Sequence, residues 1–191
     1  MQPQKQSRNI NGVEISSYQN YKNPEFIDEK SHGEIYRISD TEVAKIPKWM
    51  PEIGREMKIA IMLYESGISV PEPRGWEVVS VPQEFDEPRK AFVMEFIEGY
   101  SRNALYERYK AKEYALAKEL VEEETKKAEQ LGFNPGFDRR NEGNYILTPD
   151  KKIKLIDFTA WYHPDVPELK RRWDGKKITF ENLIDPEEVF N

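Results

Sequence analysis

Two side chains that could bind a hard cation flank one short segment of this sequence. Asn144 stands directly before the run "YIL", and Asp157 stands directly after "IKLI". The two runs are separated by a stretch containing Pro149-Asp150, which predicts a hairpin. Antiparallel strands of similar length bring their outer ends together, so an amide oxygen and a carboxylate would lie side by side. Such a pair can bind Mg²⁺, with waters and substrate phosphates completing the octahedron.

The same residues also have a purely structural interpretation, in which Asn144 caps a turn and Asp157 ends a strand. Asp138 adds a third oxygen-bearing group, six positions before Asn144. A carboxylate that does not bind the metal can accept a hydroxyl proton, and phosphoryl transfer to an alcohol requires such a group. The residues alone therefore leave open a metal-assisted transfer site and a plain hairpin.

The composition limits the class of protein. The 191 residues are enough for one domain with a core or for two small lobes that share a cleft. A net charge of -6 makes a nucleic-acid partner unexpected, because domains that bind nucleic acid are usually basic. The sequence has no cysteine, which excludes disulfides and thiolate metal sites and fits a cytoplasmic location. His32 and His163 are too few for a His-rich metal site or an obvious Ser-His-Asp triad.

The N-terminal half is expected to contain strands and one helix. Residues 1 to about 9 are expected to be frayed, and "EIYRIS" and "VAKI" are expected to form a hairpin. A helix that ends at Gly67 is predicted by apolar residues at helical spacing: Ile53, Met57, Ala60, Ile61 and Tyr64. The segments "ISVPEPRGWEVVSV" and "KAFVMEFIEG" are expected to be extended.

The C-terminal half contains the longest helical pattern, residues 103–131, with a break near residues 110–113 and Gly132 at its end. The apolar face is expected to include Leu105, Tyr109, Leu116, Leu120, Val121, Ala128 and Leu131. After the hairpin, only "ITFENLI" gives a short helical or strand signal. No segment resembles a secretion signal or approaches about 20 apolar residues, so no membrane partner is expected. The order predicts an α+β chain of two lobes, residues 1–98 and 99–191.

Six segments resemble the protein-kinase-like superfamily and occur in the family's order: "HGEIYRI", "EVAKIP", "REMKIAIMLYESGISVPEP", "AFVMEFIEG", "DRRNEGNYIL" and "IKLIDF". They span residues 32–158. The chain looks like a minimal two-lobed member with a truncated C-terminal lobe, more similar to small atypical kinases and aminoglycoside or choline phosphotransferases than to eukaryotic protein kinases. The resemblance implies ATP- and Mg²⁺-dependent transfer of a γ-phosphate to a hydroxyl group of a protein Ser or Thr or of a small alcohol.

The resemblance also implies roles for residues of the N-terminal lobe. Lys45 would lie on the third strand of the small lobe and reach the α- and β-phosphates of ATP. Glu56 would pair with Lys45 from the helix. Gly33 would belong to the loop over the phosphates, and the backbone at Glu95, Phe96 and Ile97 would bind the adenine. Without the family, Lys45 could be an edge-strand lysine, Glu56 an exposed helical acid, and "MEFIEG" a core strand.

In the C-terminal lobe, the resemblance implies that Asn144 and Asp157 bind Mg²⁺ and that Asp138 orients the attacking hydroxyl. The thirteen positions between Asn144 and Asp157 agree with the family's spacing. The family's base usually lies five positions before the metal-binding Asn, where this chain has Arg139. Either the loop contains one extra residue and Asp138 still reaches the substrate, or the chemistry is impaired.

Other departures from the family keep further alternatives open. The segment "EKSHGEIYRI" has one glycine, so Ser31 and His32 would have to replace backbone donors of a glycine-rich loop, and Thr159 stands where protein kinases have Gly. The short C-terminal lobe is similar to that of tRNA-modification-complex kinases, which work with partners, so a protein partner could complete it. A pseudokinase that senses nucleotide or binds a partner, and an unrelated α+β binding domain, are the competing interpretations.

Overall fold

The computed structural model describes residues 6–10, 13–17, 25–30, 33–48, 50–79, 89–107, 110–136, 144–173, 175 and 177–189. Within these ranges the chain mixes helices with strands, and each strand pairing is antiparallel. The expected α+β class is therefore confirmed. None of the helices in these ranges combines the length and the apolar character that crossing a membrane requires.

The first two strands, β1 (Gln6–Ile10) and β2 (Val13–Ser17), form a hairpin. Ile10 pairs with Val13, so two residues connect the strands, Asn11 and Gly12. Asn-Gly between two strands is the strongest short signal for a hairpin, because both residues tolerate positive φ. The expectation of a frayed terminus was therefore wrong for residues 6–10.

A five-stranded sheet follows, with the order β3-β4-β5-β7-β6. Its strands are β3 (Glu25–Lys30), β4 (Gly33–Arg37), β5 (Glu42–Pro47), β6 (Pro73–Val79) and β7 (Arg89–Glu95). The hairpin expected from "EIYRIS" and "VAKI" is formed by β4 and β5, and the two expected extended segments are β6 and β7. One face of the sheet buries Tyr36, Ile38, Ala44, Ile46, Val79, Ala91 and Val93. Because side chains alternate along a strand, Lys45 and its cross-strand neighbour Phe92 lie on the other face.

Helix α1 (Met50–Glu65) connects β5 with β6. Pro51 is tolerated in its first turn, where backbone N–H groups have no partner within the helix. The helix ends in a Schellman motif. The N–H of Gly67 donates to the carbonyl of Tyr64, and the N–H of Ile68 donates to the carbonyl of Leu63, both across 3.0 Å. Gly67 has a φ of 77°, so the expected C-terminal glycine is confirmed.

The buried stripe of α1 differs from the predicted one. Tyr64 was expected to lie on it, but this side chain is 43% exposed. The stripe follows positions three and four apart and includes a charged residue at its centre: Ile53, Glu56, Met57, Ala60 and Leu63. The sequence pattern therefore identified the helix and three of its buried residues, Ile53, Met57 and Ala60, but missed others, namely Glu56, Ile59 and Leu63.

The long helical pattern is divided as expected. After β8 (Tyr100–Ser101) come α2 (Arg102–Glu107) and α3 (Ala111–Gln130). Gly132, with a φ of 94°, donates its N–H to the carbonyl of Glu129 and ends α3. Leu131 is 49% exposed, so its expected place on the apolar face was wrong, whereas Leu105 and Ala128 are buried as expected. Helix α3 also buries Ala117, and Tyr109 lies outside the described residues.

The hairpin that was expected to carry chemistry is formed by β9 (Tyr145–Leu147) and β10 (Ile153–Leu155). Together with β8 these strands make a three-stranded sheet in the order β10-β9-β8. The turn is closed at Thr148, whose N–H donates to the carbonyl of Lys152 and whose hydroxyl oxygen accepts from the Lys152 N–H.

The C-terminal segment forms a hairpin and one short helix. Strands β11 (Lys170–Trp173) and β12 (Ile178–Glu181) pair with each other, so "ITFENLI" begins as a strand, and α4 (Pro186–Val189) lies against α1. The carbonyl group of Ile184 occupies the place that a Cβ atom at position 54 would need. Gly54 therefore lets the C-terminal segment approach the backbone of α1.

The main apolar core lies between α1, the β9–β10 hairpin, α3 and the residues that follow Asp157. It includes Met57 and Leu63 from the helix, Leu155 from β10, and Phe158 and Trp161 beyond it. One cluster thus draws on both of the expected lobes, and their division at residues 98 and 99 stays a prediction.

Candidate functional site

Lys45 lies on β5, between β4 and β7, opposite Ile35 on one side and Phe92 on the other. Its side chain is 4% exposed, and its Nζ atom lies 2.5 Å from Oε1 of Glu56. The edge-strand interpretation of this lysine was therefore wrong, because β5 has neighbours on both sides. A buried ammonium of this kind needs partners of opposite charge.

Glu56 provides the first of these partners. Its side chain is 5% exposed, since it points from the buried stripe of α1 towards the sheet. The interpretation of Glu56 as an exposed helical acid was wrong for the same reason. The contact between Lys45 and Glu56 that the family resemblance implied is present.

Asp157 provides the second partner, from the end of β10. Its Oδ1 atom lies 3.4 Å from Nζ of Lys45 and accepts a hydrogen bond of 2.6 Å from the hydroxyl of Thr159. The side chain is 18% exposed, so solvent reaches it more than it reaches Lys45. Asp157 has a φ of 62°, a left-handed conformation that is costly for a residue with a Cβ atom and that concentrates at functional sites.

The charge of Lys45 is stabilised by both carboxylates. Burial alone would lower the pKa of Lys45, because it disfavours the charged ammonium. The carboxylates of Glu56 and Asp157 outweigh burial, and together they raise the pKa of Lys45 above its ordinary value. Lys45 is therefore a fixed cation at neutral pH and could face anionic phosphate groups.

The hairpin brings Asn144 and Asp157 to its same end, and the closeness of their two side chains stays a prediction. The N–H of Ile156, the residue before Asp157, donates to the backbone carbonyl of Asn144 across 3.0 Å. No cluster of three or more His, Asp or Glu side chains able to hold a metal is found in the described ranges. An amide and a carboxylate from a hairpin still suit Mg²⁺, because this ion commonly takes one or two protein ligands and completes its shell with water and phosphate.

The segment after α1 attaches this hairpin to the rest of the site. The carbonyl of Ser69 accepts from the N–H of Leu155 across 2.8 Å, and its hydroxyl donates to the carbonyl of Ile153 across 2.5 Å. The N–H of Ser69 donates to Oε2 of Glu124 on α3, 3.1 Å away. Ser69 therefore joins the end of α1 to β10 and to α3.

Gly33 begins β4 and pairs with Pro47, close to the strand that carries Lys45. A Cβ atom at position 33 would lie 2.7 Å from the carbonyl oxygen of Ile46, so the close approach of the two strands requires glycine. The pairing of the two strands therefore explains why position 33 is a glycine, independently of any ligand. Its predicted neighbours in the phosphate loop, Ser31 and His32, lie outside the described residues.

The segment expected to bind adenine already uses two of its three N–H groups. Those of Glu95 and Phe96 donate to the carbonyls of Glu72 and Thr41, at 2.9 and 2.8 Å. Within the described ranges, the N–H of Ile97 has no backbone partner. Among these three residues, Ile97 is therefore the one whose amide could bind a ligand.

Asp138, the expected base, lies outside the described residues together with Arg139. Sequence reasoning missed Arg55, which precedes Glu56 and donates to the carbonyls of Thr159 and Trp161. Thr159 was noticed only as a departure from the family, although its hydroxyl contacts Asp157 directly. Main-chain carbonyls leave no signature in a sequence, so no residue pattern could have revealed the partners of Arg55.

Comparison with protein-family models gives no match, and comparison with curated protein sequences gives none either.

Proposed function

We propose that this protein binds ATP and Mg²⁺ and transfers the γ-phosphate to a hydroxyl group, as a small kinase-like phosphotransferase. The observation that carries the proposal is the buried contact of Lys45 with both Glu56 and Asp157. A lysine on a central strand, a glutamate on the following helix and an aspartate after a hairpin are the arrangement that positions ATP phosphates and their metal in protein kinases.

The order of the elements supports the same proposal. Lys45 lies on the third strand, in chain order, of the five-stranded sheet, and α1 with Glu56 follows at once. Asp157 is followed by the buried Phe158, and Asn144 precedes the first strand of the same hairpin, at the same end as Asp157. Four residue types thus occur on the elements that the kinase-like interpretation assigns to them.

The geometry suits electrostatic catalysis. Glu56 would hold Lys45 against the α- and β-phosphates, while Asn144 and Asp157 would hold Mg²⁺, and the N–H of Ile97 would bind the adenine. The acceptor oxygen would form a bond to the γ-phosphorus as the bond to the β–γ bridging oxygen breaks, and Asp138 would accept the hydroxyl proton. No covalent enzyme intermediate is needed. The acceptor would be a protein Ser or Thr or a small alcohol, in the cytoplasm, and a protein partner could complete the substrate side.

The second candidate is a pseudokinase that binds nucleotide without transferring phosphate. Arg139 occupies the position five residues before Asn144, and the segment around Gly33 has one glycine. A displaced base would slow transfer greatly, because a shift of about 1 Å can cost roughly a hundredfold in rate. Nucleotide binding through Lys45 and Asp157 would remain.

Nucleotide binding is tested by thermal unfolding with ATP and Mg²⁺, with ATP and EDTA, and without ligand. Saturating ligand stabilises the folded state by about 2.7 kcal/mol at one hundred times its Kd. We expect Lys45→Met and Asp157→Asn to remove the Mg²⁺-dependent shift. The matched controls Lys152→Met and Asp150→Asn, in the exposed turn of the same hairpin, should keep it. A shift equal in all five proteins, or none in the wild type, would contradict the proposal.

Transfer is tested separately with ATP labelled on the γ-phosphate, by following label in the protein itself, in added proteins and in small alcohols. Wild-type transfer that is lost in Asp138→Ala identifies Asp138 as the base and supports a phosphotransferase. Nucleotide binding without transfer to any acceptor favours the pseudokinase.

A further inference from the structure

Arg55 connects helix α1 to the backbone that follows Asp157. Its Nη1 atom donates to the carbonyl of Thr159 across 3.1 Å, and its Nη2 atom donates to the carbonyl of Trp161. The guanidinium carbon also lies 4.7 Å from the centre of the Tyr162 ring. The side chain of Arg55 thus contacts three groups within residues 159–162: two main-chain carbonyls and one aromatic ring.

Thr159 extends this connection to Asp157. The carbonyl of Thr159 accepts from Arg55, while its hydroxyl donates to Oδ1 of Asp157 across 2.6 Å. The same Oδ1 atom lies 3.4 Å from Nζ of Lys45, which contacts Glu56. Since Arg55 and Glu56 are adjacent in α1, the contacts form a closed ring that starts and ends on that helix.

This closed ring of contacts includes Asp157, the residue with the least favourable backbone conformation in the site. Asp157 keeps a φ of 62°, in a region that few non-glycine residues enter, although Asp does so more readily than most, and contacts with its surroundings help to hold it there. Arg55 and Thr159 supply such contacts from the C-terminal side. Nε of Arg55 is buried and has no hydrogen-bond partner among the described residues. The two carbonyl acceptors and the Tyr162 ring therefore determine the position of the side chain, although one of its donors stays unsatisfied there.

We propose that Arg55 is a positioning residue, which through Thr159 holds the carboxylate of Asp157 in the orientation that binds the metal. The proposal rests on the proposed function, in which Asp157 is a ligand of Mg²⁺. The position of α1 and the position of Asp157 are then set together.

The first test is amide hydrogen exchange of the unliganded protein, which does not depend on any activity. The N–H groups of Trp161 and Tyr162 donate to the carbonyls of Phe158 and Asn134 and should be protected. We expect Arg55→Met to accelerate their exchange by about tenfold or more while β4 and β5 keep wild-type protection. Arg172→Met, at an exposed arginine of β11, is the matched control and should leave exchange unchanged.

The second test measures nucleotide affinity as a function of Mg²⁺ concentration. Residues that orient metal ligands typically change metal affinity by about 10- to 100-fold when they are replaced. We expect Arg55→Met and Thr159→Val each to raise the half-saturating Mg²⁺ concentration within this range, with less than about a twofold change in metal-free nucleotide affinity. Because both residues act on Asp157 through the same series of contacts, the double variant should lose little more Mg²⁺ affinity than either single variant. Arg55→Lys, which keeps the charge but not the two-pronged donor, should lie in between.

The outcomes separate this inference from the proposed function. Wild-type protein that binds nucleotide without any Mg²⁺ dependence, or does not bind it, defeats the proposed function. Wild-type protein that responds to Mg²⁺, while Arg55→Met keeps both normal exchange and normal Mg²⁺ affinity, overturns the positioning role. Equal losses of metal-free and Mg²⁺-bound affinity would also overturn it, since they would show a merely structural role.

Discussion

Lys45 and Glu56 form the most deeply buried ion pair in the part of the chain that the structure describes, with side chains 4% and 5% exposed and 2.5 Å between Nζ and Oε1. Removing one partner of such a pair strands the other charge in the core. We expect Lys45→Met to lower the free energy of unfolding by about 3–5 kcal/mol at neutral pH, measured by urea denaturation.

A second substitution distinguishes a stranded charge from lost packing. In Lys45→Met/Glu56→Met neither charge remains in the pair and two unbranched apolar side chains of similar length face each other, so we expect most of the stability to return. A double variant that is as unstable as Lys45→Met would show that packing, rather than the carboxylate of Glu56, dominates the loss.

The pH dependence follows from the raised pKa of Lys45. When a folded-state pKa exceeds the unfolded one, the folded protein keeps its proton longer, and its stability falls as the pH rises between the two values. The advantage of wild type over the double methionine variant should therefore be constant from neutral pH to about pH 10.4, the ordinary lysine value, and decrease above it. Urea denaturation of both proteins across this range checks the sign. A gap that widens with alkaline pH would contradict it.

Gly54 allows a prediction in which one substitution changes sign. Alanine normally stabilises a helix interior relative to glycine by about 0.5–1 kcal/mol. In the full chain we expect Gly54→Ala to destabilise instead, because its Cβ would meet the backbone of Ile184. In a chain that ends at Leu183 the same substitution should stabilise. Urea denaturation of the four proteins measures the effect, and the same sign in both backgrounds would show that the C-terminal segment does not press on α1.

Ser69 provides a prediction about the link between α1 and the hairpin. Ser69→Ala removes the donor to the carbonyl of Ile153, and we expect it to lower the free energy of unfolding by about 1–2 kcal/mol. Ser66→Ala, at an exposed position three residues earlier, is the control and should change stability by less than about 0.5 kcal/mol. Equal losses in the two variants would show that the loss does not come from the hydrogen bond between Ser69 and Ile153.

Local patterns predicted which elements exist better than which way they face. The hairpin β9–β10, the split between α2 and α3 and the terminal glycines of α1 and α3 all depend on short-range chemistry, and the sequence shows that chemistry directly. Tyr64 and Leu131 were placed inside and lie outside, because an apolar residue at the rim of a stripe is buried only if a distant element covers it. The β1–β2 hairpin was missed although Asn11-Gly12 marks it.

The candidate site shows the same division. Asn144 and Asp157 were placed side by side because a hairpin determines their separation, and the contact of Lys45 with Glu56 followed from the family resemblance. The sequence could not show that Glu56 is buried, since a glutamate in a charged helix usually faces solvent. It also could not show Arg55, whose partners are main-chain atoms about a hundred positions away.

The attachment of Ser69 to β10 and α3 also connects the five-stranded sheet with the hairpin that carries Asp157. Ser69 lies just before β6, which is one edge of the five-stranded sheet, while β3 is the opposite edge. The hairpin that carries Asp157 and the sheet that carries Lys45 are thus joined by the hydrogen bonds of Ser69 as well as by the contact between the two side chains.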